Sequence, residues 1–222
     1  MTKVSRPLLE LDESLVDLEA EVWSMGDLAK TMLLDGFVAL RGSDSAAAEN
    51  VRQQSATLAS YDESLESRLL TVLSAGHASP DQIRRVGAML KVLTYFNRVG
   101  RYGHDIARAV AQLKDDQDPE LFAPLSPIVG HVEDMLDVVL DSIRTRKAPD
   151  LDTILKLEDD VDAGTTEFME SALVAMERTP GQVRPFTQAI LVARALERCA
   201  DNLCKAVEKL HAAATGERII LR

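Results

Sequence analysis

The sequence predicts an all-α protein, with six long antiparallel helices forming two tandem, duplicated three-helix bundles. Three observations predict it. Apolar residues recur at alternating steps of three and four over stretches of 25–35 residues, the signature of helices that bury one face. No stretch shows strand alternation, and a 4% aromatic content with 11 Gly and 8 Pro is sparse for a many-stranded protein. The chain also matches itself at an offset of 100 residues. Pro80, Gln82, Arg84, Val92 and Arg98 repeat as Pro180, Gln182, Arg184, Val192 and Arg198, and Asp62, Leu73 and Ala75 as Asp162, Leu173 and Ala175. Chance gives roughly three such identities over a span of this length. Capping alone explains the prolines but not the glutamine and arginine pairs.

The first helix carries Leu8, Leu11, Leu15, Leu18, Val22, Met25, Ala29 and Met32, a heptad-like seam. Arg41-Gly42-Ser43-Asp44 reads as a terminating glycine followed by a new N-cap. The second helix, from about Ser45 to Ala75, holds Val51, Leu58, Tyr61, Leu65, Leu69 and Val72. Ser79-Pro80 supplies an N-cap and first-turn proline for the third. Its seam is Met89, Leu93, Phe96, Gly100, Gly103, Ala107 and Val110, the two glycines implying a close helix approach. The polar run Lys114–Pro119 is the expected connection between halves.

Pro124 and Pro127 disturb the start of the fourth helix, which carries Leu125, Ile128, Val132, Met135 and Val139. Asp150 caps the fifth, with Ile154, Leu157, Val161, Phe168, Ala172 and Ala175. Thr179-Pro180 starts the sixth, whose seam is Ala189, Ala193, Leu196, Ala200, Leu203, Val207 and Leu210, with Gly216 as its stop. The expected division is residues 1–114, residues 120–216 and a tail, 217–222. Three consecutive apolar residues, Ile219-Ile220-Leu221, read as a frayed end, the alternative being docking on the bundle or on a second subunit.

A net charge of −11 makes nucleic acid and anionic lipid poor partners and suits basic protein surfaces or cations. No run approaches the ~18 apolar residues of a membrane span, and the amino-terminal residues lead into an amphipathic segment, not a signal peptide, so a cytoplasmic protein is expected. Cys199 and Cys204 are five apart, unable to bridge on a helix, and read as small core residues. No phosphate loop, nucleophile elbow or Cys/His catalytic set occurs, and Glu208-Lys209-Leu210-His211 has no second copy to form a di-iron site, so no enzyme is expected.

The most pointed motif is Glu197-Arg198-Cys199-Ala200-Asp201. Glu197 and Asp201 are i and i+4, so their carboxylates share a face at the edge of the seam. They can share a cation or pair with Arg or Lys on a neighbouring helix. The matched place in the third helix reads Asn97-Arg98-Val99-Gly100-Arg101, followed by Asp105, so an amide and a cation replace the acids.

The segment Ala193–Asn202, Asp62 with Asp162, and Asn97-Arg98-Val99-Gly100, set within a duplicated chain, resemble the PhoU family over about Leu8–Gly216. The resemblance implies two three-helix bundles and a non-enzymatic cytoplasmic adaptor. Such an adaptor links the ATPase subunit of an ABC phosphate transporter to a phosphate-sensing histidine kinase and represses the starvation response. Homodimerisation is expected with it. It also implies iron or zinc as candidate metals at the E-x-x-x-D motifs. Here only Glu197 and Asp201 keep that pattern, with Asp162 or another acid of the fifth helix as a further ligand, while Asn97 and Arg101 break the first copy. The family-motif positions are Asn97, Arg98, Arg101, Asp105 and Arg198. Two other readings stay open: a bundle whose business is the metal itself, and a dimerising regulator outside phosphate control.

Overall fold

The computed structural model describes residues 6–74, 78–113 and 119–221. The expected connection at Lys114–Asp118 and the loop residues Gly76 and His77 lie outside them, as do the side chains of Leu8 and Leu11. Six α-helices and no strand occur among the described residues: α1 (Arg6–Gly42), α2 (Ser45–Ser74), α3 (Pro80–Gln112), α4 (Ser126–Thr145), α5 (Leu151–Arg178) and α6 (Val183–Thr215). Helices α1–α3 form one bundle and α4–α6 the other, joined by α3 against α6 and α1 against α4.

The seams become the core. Leu15, Leu18, Val22, Met25, Ala29 and Met32 of α1 are buried, as are all seven seam positions of α3 and of α6. The repeat is visible in burial as well as in sequence. Residues 91–100 and 191–200 run through the same succession of exposed, half-buried and buried positions.

The glycines in α3 mark where backbones touch. A Cβ on Gly103 would lie 2.5 Å from the carbonyl carbon of Met32, and one on Gly36 would lie 2.6 Å from the carbonyl oxygen of Gly103. A methyl group fits neither place, so α1 and α3 cross with their backbones in contact. At the matched position in α6 stands Leu203, itself fully buried, so the second half fills with a side chain what the first fills with backbone.

Two helix ends differ from expectation. Gly42 is the last residue of α1, and Ser43, with φ 52°, takes the left-handed conformation expected of the glycine. The reason is local. Asp44 N–H donates to Ala39 O at 2.9 Å and Ser43 N–H to Leu40 O, closing the last turn, while Asp44 Oδ1 accepts from Ala46 and Ala47 N–H to start α2. At the start of the sixth helix, Thr179 does not act as a cap. Its hydroxyl donates back to Ala175 O at 2.6 Å, and Pro180–Gln182 forms a short 3-10 turn before α6 begins at Val183. The matched Ser79 makes a full capping box, accepting from Gln82 N–H while its own N–H donates to Gln82 Oε1. Asp150 caps α5 as expected, and Gly216 closes α6 at φ +80°.

Candidate functional site

The motif residues lie along the central pair α3 and α6. Asn97 is half-buried on α3 and donates from Nδ2 to Asp62 Oδ2 of α2 at 2.5 Å. Where the second half offers two carboxylates, the first makes a neutral amide–carboxylate bond between helices. Arg98 reaches across the midline and donates to Asn202 Oδ1 at 3.0 Å. Asn202 is 5% exposed, and its Nδ2 donates to Arg198 O at 2.6 Å, so both ends of the amide are used. This Arg98–Asn202 bond ties the two repeats at their pseudo-symmetric seam. Its mirror would join Arg198 to position 102, where Tyr102 offers no amide oxygen. Sequence reasoning singled out Arg98 but missed Asn202. A buried Asn directly after the E-R-x-A-D run was the available signal.

In the second half, both oxygens of Glu197 accept from Arg194 Nη1, at 2.6 and 2.5 Å, one turn back on the same helix. The ion pair is therefore within α6 and not to a neighbouring helix. Asp162 and Asp201 are exposed. Asp105 sits on the surface of α3, 3.5 Å from Arg108, and Arg101 is exposed. Among the described residues no group of three or more His, Cys, Asp or Glu side chains is arranged to hold a metal ion. Glu197, Asp201 and Asp162 are not gathered into a three-ligand set, and both oxygens of Glu197 are taken by Arg194. Cys199 and Cys204 are both buried and unbridged, and burial alone pushes the Cys199 thiol far above its ordinary range, so it stays a neutral core group.

A second tie between halves was not read from the sequence. Glu19 of α1, 5% exposed, accepts from Arg85 Nε and Nη2 of α3 at 2.8 and 2.7 Å, and from Arg146 Nε, just after α4, at 2.8 Å. One buried carboxylate thus holds two guanidinium groups from opposite halves. Lys30 of α1 binds Asp137 and Glu133 of α4 at 2.7 and 3.1 Å. Partial burial works against the charge on Lys30, but the hydrogen bonds from these two carboxylates outweigh it and raise the ammonium pKa.

Surface charge is not uniform. The chain is acidic overall, yet a cleft of about 930 Å³ between α3, α6 and the tail gathers Arg84, Lys91, Lys205, Lys209 and Arg218. The tail forms one wall. Leu221 N–H donates to Glu208 Oε1 at 3.1 Å and the Leu221 side chain packs against the core, while Ile220 is 88% exposed. The tail is thus docked at Leu221 and open at Ile220. These cations can attract an anionic group, with Glu208 and Tyr95 also lining the cleft. No helix of the described chain is long and apolar enough to cross a membrane.

Comparison with known proteins agrees with this duplicated architecture. The PhoU domain model matches twice, over residues 22–110 and 125–210. A relative from Clostridium acetobutylicum, named phosphate-specific transport system accessory protein PhoU homolog, is 23% identical, with 98% of this chain and 99% of that protein covered. One of the same name from Rhizobium meliloti is 24% identical over 92% of this chain and 87% of its own. Among solved structures, PhoU from Pseudomonas aeruginosa superposes with a TM-score of 0.86 at 20% identity, covering 93% of this chain and 99% of that one. The phosphate transport system regulatory protein PhoU from Streptococcus pneumoniae superposes at 0.84 and 21%, covering 95% and 99%. At such identities the superpositions speak to the fold alone, whereas the domain match spans both halves: the chain belongs to the PhoU family.

Proposed function

We propose that the protein is a regulatory accessory of phosphate-specific transport. It acts without catalytic turnover as an adaptor between the transporter's ATPase subunit and a phosphate-sensing histidine kinase, repressing the starvation response. The observation that carries this reading is the PhoU domain match over both repeats, at the very helices that also bear the Arg98–Asn202 seam. The mechanism is one of surfaces. Two rigid bundles clamped by Glu19, Lys30 and Arg98 present an exterior of net charge −11 that steers basic partner faces by long-range attraction.

Exposed charge is screened within about 8–10 Å at physiological ionic strength, so association with the ATPase subunit should weaken as salt rises. The test is pull-down of that subunit across a salt series, with charge reversals on the exposed acids of α3 and α6. Retention that ignores both salt and charge reversal would overturn the mechanism. Metal analysis belongs in the same experiment. Iron or zinc that disappears in Glu197→Ala/Asp201→Ala but not in Asn97→Ala would place an ion in the second half.

A further inference from the structure

The first helices of the two repeats expose a missing part. Helix α1 starts at Arg6, whereas its counterpart α4 starts at Ser126 and is preceded by a 3-10 segment, Pro119–Leu125. The second bundle therefore lacks about five helical turns that the first one has. In the first bundle those turns bury Leu15, Leu18 and Val22, and are held in register by Glu21 against Arg68 of α2 and Glu19 against Arg85 of α3.

Over the matching surface of the second bundle there is a groove instead. It encloses about 570 Å³ between the 3-10 segment, α4, α5 and the start of α6, on a floor of Phe168, Ala172 and Phe186. It runs on into a neighbouring recess of about 610 Å³ that shares Ser171, Ala175, Gln182 and Phe186 with it. Matched positions show what is uncovered. Val86 is 0% exposed but Phe186 is half-buried, and Gln82 is buried but Gln182 is exposed.

The groove's rim is acidic. Glu120, Asp160 and Glu167 line the groove and Glu170 lines the neighbouring recess. Arg178 is the one lysine or arginine lining the two recesses, at the far end.

We propose that this groove is a docking site for an amphipathic helix of a partner protein, one with an apolar face and cationic flanks. The first bundle supplies the shape argument, because there the same surface is covered by a helix of this chain. The rim supplies the charge argument. It also disfavours a second copy as occupant, since the corresponding stretch of α1 carries Glu10, Asp12, Glu13, Asp17, Glu19 and Glu21. The proposal adds a binding surface to the adaptor reading but stands on the groove's geometry and charge, so it can fail or hold independently of phosphate.

The probe is a fluorescent peptide of residues 8–25 in which those six acids are replaced by lysine, with the unaltered peptide as control. The cationic peptide should bind the full-length protein at least about tenfold more tightly than the acidic one, and lose affinity with salt. Glu167→Lys/Glu170→Lys should weaken it at least about tenfold, and Ser171→Trp, which obstructs the groove, should do the same. Glu63→Lys/Glu66→Lys on the first bundle should leave binding unchanged. Thermal melts confirm that each variant is folded, and Glu167→Gln/Glu170→Gln replaces the reversal if it is not. Equal binding of both peptides, or undiminished binding to the folded groove variants, overturns the proposal. So does a homodimer that Ser171→Trp dissociates and that the peptide displaces, because the occupant would then be a second copy.

Discussion

The two bundles are copies of one three-helix plan, yet the first is closed and the second is open. Helix α1 runs 37 residues and covers its bundle from end to end, whereas α4 runs 20 and leaves the ends of α5 and α6 exposed. The charged interactions follow the extra length. Glu19 and Glu21 both lie on the stretch of α1 that α4 lacks, and each holds an arginine of its own half. Counted from Ser43 and Arg146, the left-handed residues that end α1 and α4, the second half has Phe122 and Pro124 in place of Glu19 and Glu21, and Pro185 stands in place of Arg85. The difference teaches a division of labour. The first half is built to be stable and to brace its neighbour through Arg146, while the second keeps surface in hand for something else.

The sharpest way to break this comparison is at Glu19. Glu19→Gln leaves Arg85, whose side chain is 13% exposed, without its carboxylate and frees Arg146 from the interface. Removing one partner from a buried pair costs about 3–5 kcal/mol, so unfolding should shift toward the low end of that range because Arg146 can reach water. Chemical denaturation of the wild type and variant measures it. A loss below ~1 kcal/mol would mean that the brace between halves contributes little.

The next contrast sits at positions 103 and 203. Gly103→Ala inserts a methyl group into backbone and should cost about 1–3 kcal/mol by overpacking. Leu203→Ala empties a fully buried site and should cost about 2–5 kcal/mol. Both substitutions end in alanine, and both should destabilise, for opposite reasons. If Gly103→Ala is neutral, α1 and α3 can move apart more easily than their crossing implies.

The helices were legible because burial and period coincide. Every α3 and α6 seam residue read from the three-and-four spacing is buried, and the glycines of α3 were rightly read as a close approach. The repeat was legible through Arg98 and Arg198, Gln82 and Gln182. What could not be read were interactions that cross between elements far apart in sequence. Nothing in the neighbourhood of Glu19 announces Arg146, 127 residues away. The carboxylate motif was legible as a shared face, but which cation would answer Glu197 depends on side-chain reach, and Arg194 was one turn back on the same helix. The capping residues show the same limit at short range. Ser79 and Thr179 precede matched prolines, yet only one caps.

That last pair gives a smaller prediction. Ser79→Ala removes the acceptor for Gln82 N–H and breaks the capping box, at a cost of about 1 kcal/mol. Thr179→Ala removes only a hydroxyl bonded to Ala175 O and should cost less than ~0.5 kcal/mol. Equal losses in the two variants, by denaturant midpoint at constant m, would mean that both halves start their third helix in the same way.

The smallest effect expected is a pH dependence confined to the first half. Hydrogen bonds from the Arg68 side chain, at 2.5 and 2.6 Å, hold the Glu21 carboxyl below its ordinary value, with partial burial opposing. A depressed carboxylate stabilises the fold above its unfolded pKa, near 4.5, and that contribution is lost as pH falls through the lower folded value. Arg68 is pushed upward by the same pair, so on the alkaline side nothing is lost in any accessible range. Both side chains are about half exposed, at 46% and 40%, and solvent screens them, so the pair is worth well under ~1 kcal/mol. Glu21→Gln should therefore leave melting near neutral pH only slightly lower and flatten its decline between about pH 5 and 3. Phe168 of α5 carries no charge, so Phe168→Leu should shift the whole curve without changing its slope. An unchanged acid slope in Glu21→Gln would place the acid sensitivity elsewhere, and would leave the length of α1, with no help from its charges, as what closes the first bundle.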